Sequence, residues 1–275
     1  MAEEPSSNTM SIPDEEKLLR EFLEMPLENT DSVFKKFMEL NMPGAIHEKG
    51  NGDFQEFLYI PGTRKDRVVL VAHADTWWDS RWPENNGRHY LPRKELHIDL
   101  DHAGHTIYRN MHGHQSGGGL GADDRAGCAM LYLLYLLMEE KHSILVTEGE
   151  EHRSRGKGIA LFPSRPELFD LINRKHQFAI QLDRENGKDF KCYNVGTEPF
   201  KSFISENTGY TDIQDHGRTD IVVLCRRICG VNFSIGYYLK HQSNEYLDYT
   251  EWKNTLEMVR NLLSMELPRF ERPSD

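Results

Sequence analysis

Strands and helices alternate along this sequence, which predicts one α/β domain built on a central mixed, mostly parallel β-sheet flanked by helices. Three observations carry that expectation. The continuous apolar run Val68, Val69, Leu70, Val71 suits a central strand covered on both faces. The nearly apolar stretch Ala126 to Met138 reads as part of a buried helix over Asp124 to Lys141. No internal repeat and no linker interrupts residues 13 to 270.

The elements follow in order. Residues 1–12, rich in Ser, Pro and Glu, read as a flexible tail, and 13–275 as the single folded domain. Asp14 to Glu24 carries Leu18, Leu19, Phe22 and Leu23 at helical spacing. Asp31 to Leu40 does so with Val33, Phe34, Phe37 and Met38, and Thr30 or Asp31 is the expected cap. Pro26 and Pro43 punctuate these helices. Strands are expected over Phe54 to Ile60 and Arg67 to Ala72. Residues 77–122 look irregular, with Trp77, Trp78, Trp82, six histidines (His89, His97, His102, His105, His112, His114) and Gly117-Gly118-Gly119. After the buried helix come strand Ser143 to Thr147, helix Pro166 to Lys175 with proline at its first turn, and strands Phe178 to Leu182 and Phe190 to Asn194. Helices Lys201 to Thr208 and Arg218 to Cys229, strand Val231 to Tyr237 and a final helix Tyr249 to Leu267 complete the chain. Trp252, Leu256, Val259 and Leu263 form the apolar stripe of that last helix.

Composition narrows the class. In 275 residues, 38% hydrophobic and 28% charged content describes a globular chain. The net charge of −11 repels phosphate backbones, which argues against nucleic acid and anionic membrane as partners. The 13-residue apolar run is too short to span a bilayer. The acidic N-terminus does not read as a signal or transit peptide, and the sparse cysteines make a reduced, cytoplasmic location the expectation. Cys128, Cys192, Cys225 and Cys229 are too few for a disulfide scaffold. Cys225 and Cys229, four apart on an expected helix, have no second pair at zinc-finger spacing and read as small buried hydrophobes.

Chemistry concentrates just after the strands, where open α/β sheets bind ligands. The strand Val68 to Ala72 runs into His73-Ala74-Asp75-Thr76, and Ile144 to Thr147 runs into Glu148-Gly149-Glu150-Glu151. Phe178 to Leu182 ends at Asp183, and Val231 to Tyr237 is followed by His241. Asp123 sits where Leu120-Gly121-Ala122-Asp123-Asp124-Arg125-Ala126-Gly127 enters a helix. Each group alone has a plain reading as a loop polar residue, a helix cap or a solvated pair. Two histidines and several carboxylates on one rim suit a divalent metal, above all zinc.

The ordered set His73-Ala-Asp75, Gly-Ala-Asp123-Asp124-Arg-Ala-Gly, Glu150-Glu151, Asp183 and His241 resembles the dinuclear zinc exopeptidases, a superfamily of aminopeptidases, peptidase T and carboxypeptidase G-like enzymes. The resemblance covers residues 54 to 267, and Gly236 to Glu245 resembles the last ligand segment. It implies two zinc ions, which cobalt or manganese can replace, held by His73, Asp123, Glu151, Asp183 and His241 with Asp123 bridging. Asp75 would orient the His73 imidazole, and Glu150 would be the general base acting on a zinc-bridged water. The peptide bond after Asp123 is often cis in such enzymes.

Two features depart from the pattern. Asp183 and His241 are only 58 residues apart, which leaves no room for the lid domain many members insert there. The Glu pair is followed by bulky His152-Arg153-Ser154-Arg155 before Gly156, and Arg153 or Arg155 could pair with a substrate carboxylate or simply be solvated. The three tryptophans could wall a pocket or pack on the sheet, and the histidine-rich stretch reads as a polar loop. Asp220 resembles a segment near the metals and equally reads as a helix-start cap, and Arg218 is a candidate contact for a substrate terminus. The resemblance implies hydrolysis of a small peptide or amide, with an aminopeptidase first because lid-free members often are. A carboxypeptidase, an N-acyl-amino-acid deacylase or a non-catalytic metal-binding relative are the alternatives. The oligomeric state is not legible in the sequence.

Overall fold

The computed structural model describes residues 14–51, 54–81, 97–100, 105–110, 119–151, 165–214 and 217–273, with backbone alone at 97–100 and 110. The expected tail, Trp82, four of the six histidines (His89, His102, His112, His114) and Arg153 and Arg155 lie outside the described residues.

The chain opens with helices α1 (Glu15–Leu23) and α2 (Asp31–Met38). Asp14 caps α1 by accepting the Lys17 N–H at 3.1 Å. Thr30 precedes α2 without a side-chain cap, because its hydroxyl donates instead to buried Glu148 at 2.8 Å. Tertiary pairing has taken the group that the local pattern assigned to the helix end.

Eight strands form the main sheet. In chain order they are β1 (Ile46–Lys49), β2 (Glu56–Ile60), β3 (Val69–His73), β6 (Ser143–Thr147), β7 (Ala179–Arg184), β8 (Asp189–Lys191), β9 (Thr211–Asp212) and β10 (Gly230–Ser234). Their spatial order is β1-β2-β6-β3-β7-β10-β8-β9. The central four, β6-β3-β7-β10, run parallel, so their carboxyl ends share one edge. β1, β2 and β8 join antiparallel, which makes the sheet mixed. A second, antiparallel sheet has the order β11 (Tyr237–Tyr238), β12 (Tyr246–Asp248), β5 (Thr106–Asn110), β4 (His97–Leu100). β4 and β5 fall in the stretch expected to be irregular. In β5 the inward residues are Ile107 and Arg109, and a buried arginine breaks the apolar alternation that marks a strand. Its guanidinium donates to the Leu23 carbonyl at 2.8 Å.

Alternate residues of the parallel strands serve two cores. Leu70, Ala72, Ile144, Val146, Ile180 and Leu182 face α1, α2, α3 (Ala122–Leu137) and α7 (Tyr249–Leu263). Val69, Val71, Leu145 and Ala179 face α4 (Pro166–Lys175) and α6 (Asp220–Leu224). Helix α5 (Glu198–Thr208) packs Phe200 and Ile204 into the first core. Helix α3 is buried from Ala122 to Tyr135, as an all-round apolar helix must be. Gly127 lets it lie directly on β7, since a Cβ there would sit 2.1 Å from the Leu182 carbonyl oxygen. Trp252 of α7 is buried, and its indole N–H donates to the Ala126 carbonyl at 3.1 Å.

The helix expected over Arg218 to Cys229 shrinks to α6. Asn173 explains the stop: its amide donates to Leu224 O at 3.0 Å, and its oxygen accepts the Arg226 and Arg227 N–H groups at 2.8 and 2.9 Å. Cys225 and Cys229 therefore do not share a helical face. All four cysteines are free and buried. No described helix is long and apolar enough to cross a membrane.

Two histidines are held neutral in this fold. His142 Nδ1 accepts the Val68 N–H at 3.0 Å, and its Nε2 lies 3.3 Å from Leu263 O. His176 Nδ1 faces Ile172 O at 3.0 Å, and its Nε2 faces the Ser143 hydroxyl at 2.8 Å. Burial pushes His142 down to about 4 and His176 to about 3. Their folded pKa values lie below the unfolded value of about 6.5, so only the unfolded chain takes up these protons as pH falls below it. Stability should drop by about 1.4 kcal/mol per pH unit per histidine between about pH 6.5 and 4. Urea unfolding across that range reads the slope, and a His142→Gln/His176→Gln double variant with the wild-type slope would refute the assignment.

Candidate metal centre

Every ligand-type side chain of the site sits at or just beyond the parallel edge. His73 ends β3 and lies in register with Thr147, the end of β6. The turn after β6 carries Glu150 and Glu151, and β7 carries Asp183. Asp123 lies in the first turn of α3, where its backbone and that of Asp124 are non-helical and the peptide bond between them is cis. His241 follows β11 with a positive φ of 63°.

These residues form two groups that share Asp123: His73, Asp123 and Asp183 in one, and Asp123, Glu151 and His241 in the other. His73 Nε2 is 3.2 Å from Asp123 Oδ1 and 3.4 Å from Asp183 Oδ1. His241 Nε2 is 3.4 Å from Asp123 Oδ2 and 2.7 Å from Glu151 Oε1. Asp123 thus turns one oxygen toward each group.

The chemistry of these donors fits divalent cations. His73 Nδ1 lies 3.0 Å from the Asp75 carbonyl oxygen and 3.5 Å from its carboxylate, so the ring proton belongs there. That leaves the Nε2 lone pair buried, turned toward two carboxylates and without a hydrogen bond. Donors of a tetrahedral ion at zinc distances stand about 3.4 Å apart, close to the separations in the first group. Burial and then the nearby Asp123 push Glu151 up to about 7, and burial with Asp183 raises Glu150 well above the carboxylate range. Burial opposes charge on His241, but Asp123 and Glu151 together lift it to about 10. A nest of carboxylates that draws protons onto its members is one that divalent ions would neutralise.

A supporting layer of buried carboxylates holds the backbone in place. Asp75 Oδ1 accepts the Gly149 N–H at 2.7 Å and the Glu150 N–H at 3.3 Å, while Oδ2 accepts the Glu151 N–H at 3.2 Å. Asp124 accepts the His73 N–H at 3.1 Å and the Gly127 N–H at 3.2 Å. Gln181 donates to Asp183 Oδ2 at 2.7 Å, and Asn232 brackets the Asp183 backbone at 3.0 Å on both its N–H and its carbonyl. Asp124, Gln181, Asn232 and Glu245 have no role in the sequence reading. Asp124 and Glu245 lie within the motifs that carry the resemblance and Gln181 lies two residues before Asp183, whereas Asn232 has no such positional signal.

The remaining candidates divide. Trp77 stacks on the His241 ring, with centroids 4.5 Å apart and planes at 14°. Trp78 is buried. Asp220 is not a helix cap: it is the first residue of α6 and accepts the Thr147 hydroxyl. Arg218 is exposed. His105 pairs with Thr250 at 2.9 Å. Between Asp183 and His241 the described residues build β8, α5, β9, α6, β10 and β11, with no inserted domain among them.

No protein-family model and no curated protein matches the sequence. The fold does match solved structures. Aminopeptidase PepT from Bacillus cereus aligns with a TM-score of 0.59 at 15% identity, covering 92% of this chain and 99% of that one. The Pyrococcus horikoshii TET1 peptidase aligns at 0.59 and 12% identity, covering 91% and 99%. A TET aminopeptidase from a marine-sediment Thaumarchaeota archaeon aligns at 0.60 and 12% identity, covering 91% and 97%. At such identities the likeness is one of fold.

Replacing Asp75 by alanine strips the acceptor from three N–H groups in the 149–151 turn, one buried and two part-buried. The loss should be about 3 kcal/mol of stability, the scale of hydrogen bonds to a buried charge. A urea midpoint unchanged in Asp75→Ala would show that the turn holds itself.

Proposed function

We propose that this chain is a metal-dependent exopeptidase that hydrolyses small peptides or amides, and foremost an aminopeptidase. The observation that carries the reading is Asp123, with one oxygen turned to each of two histidine–carboxylate groups beside Glu150. The fold likeness to PepT and TET aminopeptidases supports the same reaction class.

His73, Asp123 and Asp183 would hold one divalent ion, and Asp123, Glu151 and His241 the other. Zinc comes first, with cobalt or manganese as substitutes in so carboxylate-rich a site. When bound, such a pair supplies Lewis acidity and water that ionises near neutral pH. Glu150 takes a proton from the attacking water as the oxygen–carbon bond forms, and returns it to the amine nitrogen as the carbon–nitrogen bond breaks. Its side chain makes no hydrogen bond among the described residues, so its carboxylate is free for that transfer. Asp75 holds Glu150 from behind by its backbone N–H, which aims the base without engaging it. Residues 13–275 act as one catalytic unit, and four unpaired thiols support a cytoplasmic setting.

One group favours the second reading, a carboxypeptidase or N-acyl-amino-acid deacylase. Lys240 is half-buried within electrostatic reach of Asp123, Asp183 and Glu151, and makes no ion pair among the described residues. Such an ammonium could receive a substrate carboxylate.

Glu150→Gln should lower kcat by about 10²- to 10⁴-fold, the usual contribution of a positioned base, while metal content stays at the wild-type level. Equal turnover in the variant would remove Glu150 from the mechanism. Chelation should abolish activity and zinc should restore it. Within the reading, a dipeptide panel decides the end preference: substrates with a free N-terminus should be cleaved and N-blocked ones spared, and the reverse pattern would favour the deacylase.

A further inference from the structure

Glu245 lies four residues beyond His241 and is 2% exposed. Both of its carboxylate oxygens serve a different part of the chain. Oε2 accepts the Gly121 N–H at 2.7 Å, and Oε1 accepts the Asp123 N–H at 3.1 Å. The two segments approach so closely that glycine is required between them. A Cβ on Gly119 would lie 2.7 Å from Glu245 Oε2 and 2.4 Å from Gln242 O. Gly121 has a φ of +73°, and a Cβ there would meet the Leu27 side chain at 2.4 Å. The Glu245 carboxylate thus clamps the Asp123 segment at close range.

The two groups of ligands are also oriented in different ways. His73 is fixed through its Nδ1 by Asp75. His241 Nδ1 makes no hydrogen bond among the described residues. Its ring rests on Trp77, and its place is set by the loop that carries it. That loop closes through a Glu245 N–H bond to Gln242 O at 3.1 Å, and its buried anchor is the Glu245 side chain.

We propose that Glu245 is a positioning residue for the second cation site: from the His241 loop it grips the backbone of the Asp123 segment, and so sets the distance between Asp123 Oδ2 and His241 Nε2. The inference rests on the reading that the two groups bind cations. Without the grip, an incoming ion would have to order two independent segments, and binding weakens by that ordering entropy. Groups that orient metal ligands are typically worth 10- to 100-fold in affinity.

The test titrates Co²⁺ and Zn²⁺ into the metal-stripped full chain, reading stoichiometry, affinity and the visible absorption of each cobalt equivalent. Glu245→Gln keeps the reach but loses one acceptor. Glu245→Asp keeps both oxygens and the charge but loses a methylene of reach. The wild type should bind two ions. Both variants should hold the first within about threefold of wild type, and bind the second about 10- to 100-fold more weakly with an altered cobalt spectrum. Should Glu245→Gln fail to fold, Glu245→Asp decides alone. Wild-type affinity for the second ion in Glu245→Asp overturns the inference, because charge and not position would then matter. Equal weakening of both ions also overturns it. A wild type that binds fewer than two ions overturns the underlying reading instead, and the inference falls with it.

Discussion

The carboxylate of Asp75 is the interaction on which the site depends. It lies between β3 and the turn that follows β6, fully buried, and takes three backbone N–H groups from Gly149, Glu150 and Glu151. The same residue's carbonyl accepts the Nδ1 proton of His73 and so turns the other ring nitrogen toward Asp123 and Asp183. Ring orientation and turn geometry are therefore one constraint. Burial opposes the charge on Asp75, but the neighbouring His73 and then the oriented N–H groups of Gly149 and Glu151 hold its carboxyl below the usual range.

The pattern of backbone donors recurs at Asp124 and Glu245, where burial nonetheless pushes both carboxyls up, Glu245 to about 7. Each buries a carboxylate and fills it with backbone donors instead of a lysine or arginine. Ion pairing is used farther out, where Arg81 joins Glu148 at 2.7 Å and stacks on Phe54. The division has a physical logic. A protein cation close to Asp123, Asp183 and Glu151 would compete for those oxygens, whereas an N–H group holds the backbone and leaves the facing carboxylates free. Lys240 lies within electrostatic reach of all three, half-buried and without an ion pair among the described residues.

Much of the fold was legible. The apolar run around Val68–Val71 became β3, and the stretch around Ala126–Met138 became the buried α3, because unbroken apolar runs have few alternatives to burial. Legibility failed where inward-facing residues are polar or where distant side chains replace local partners. Strand β5 hid because Arg109 points inward and donates through one guanidinium nitrogen to main-chain carbonyls. The helix around Cys225 ended early because Asn173, fifty residues upstream, supplies its terminal hydrogen bonds. Thr30 looked like a cap and serves Glu148.

The sequence by itself determined the layered α/β plan, the order of the ligand-type residues along the chain and their placement at strand ends, since each depends on local periodicity and on which side of a strand a residue falls. Only the tertiary structure decided that Asp123 divides its two oxygens between two histidines, that Trp77 lies flat on His241, and that Asp75, Asp124 and Glu245 accept backbone N–H groups. Those facts depend on distances between segments fifty to more than a hundred residues apart, which are set by the packing of α3 on the sheet and carry no local signature.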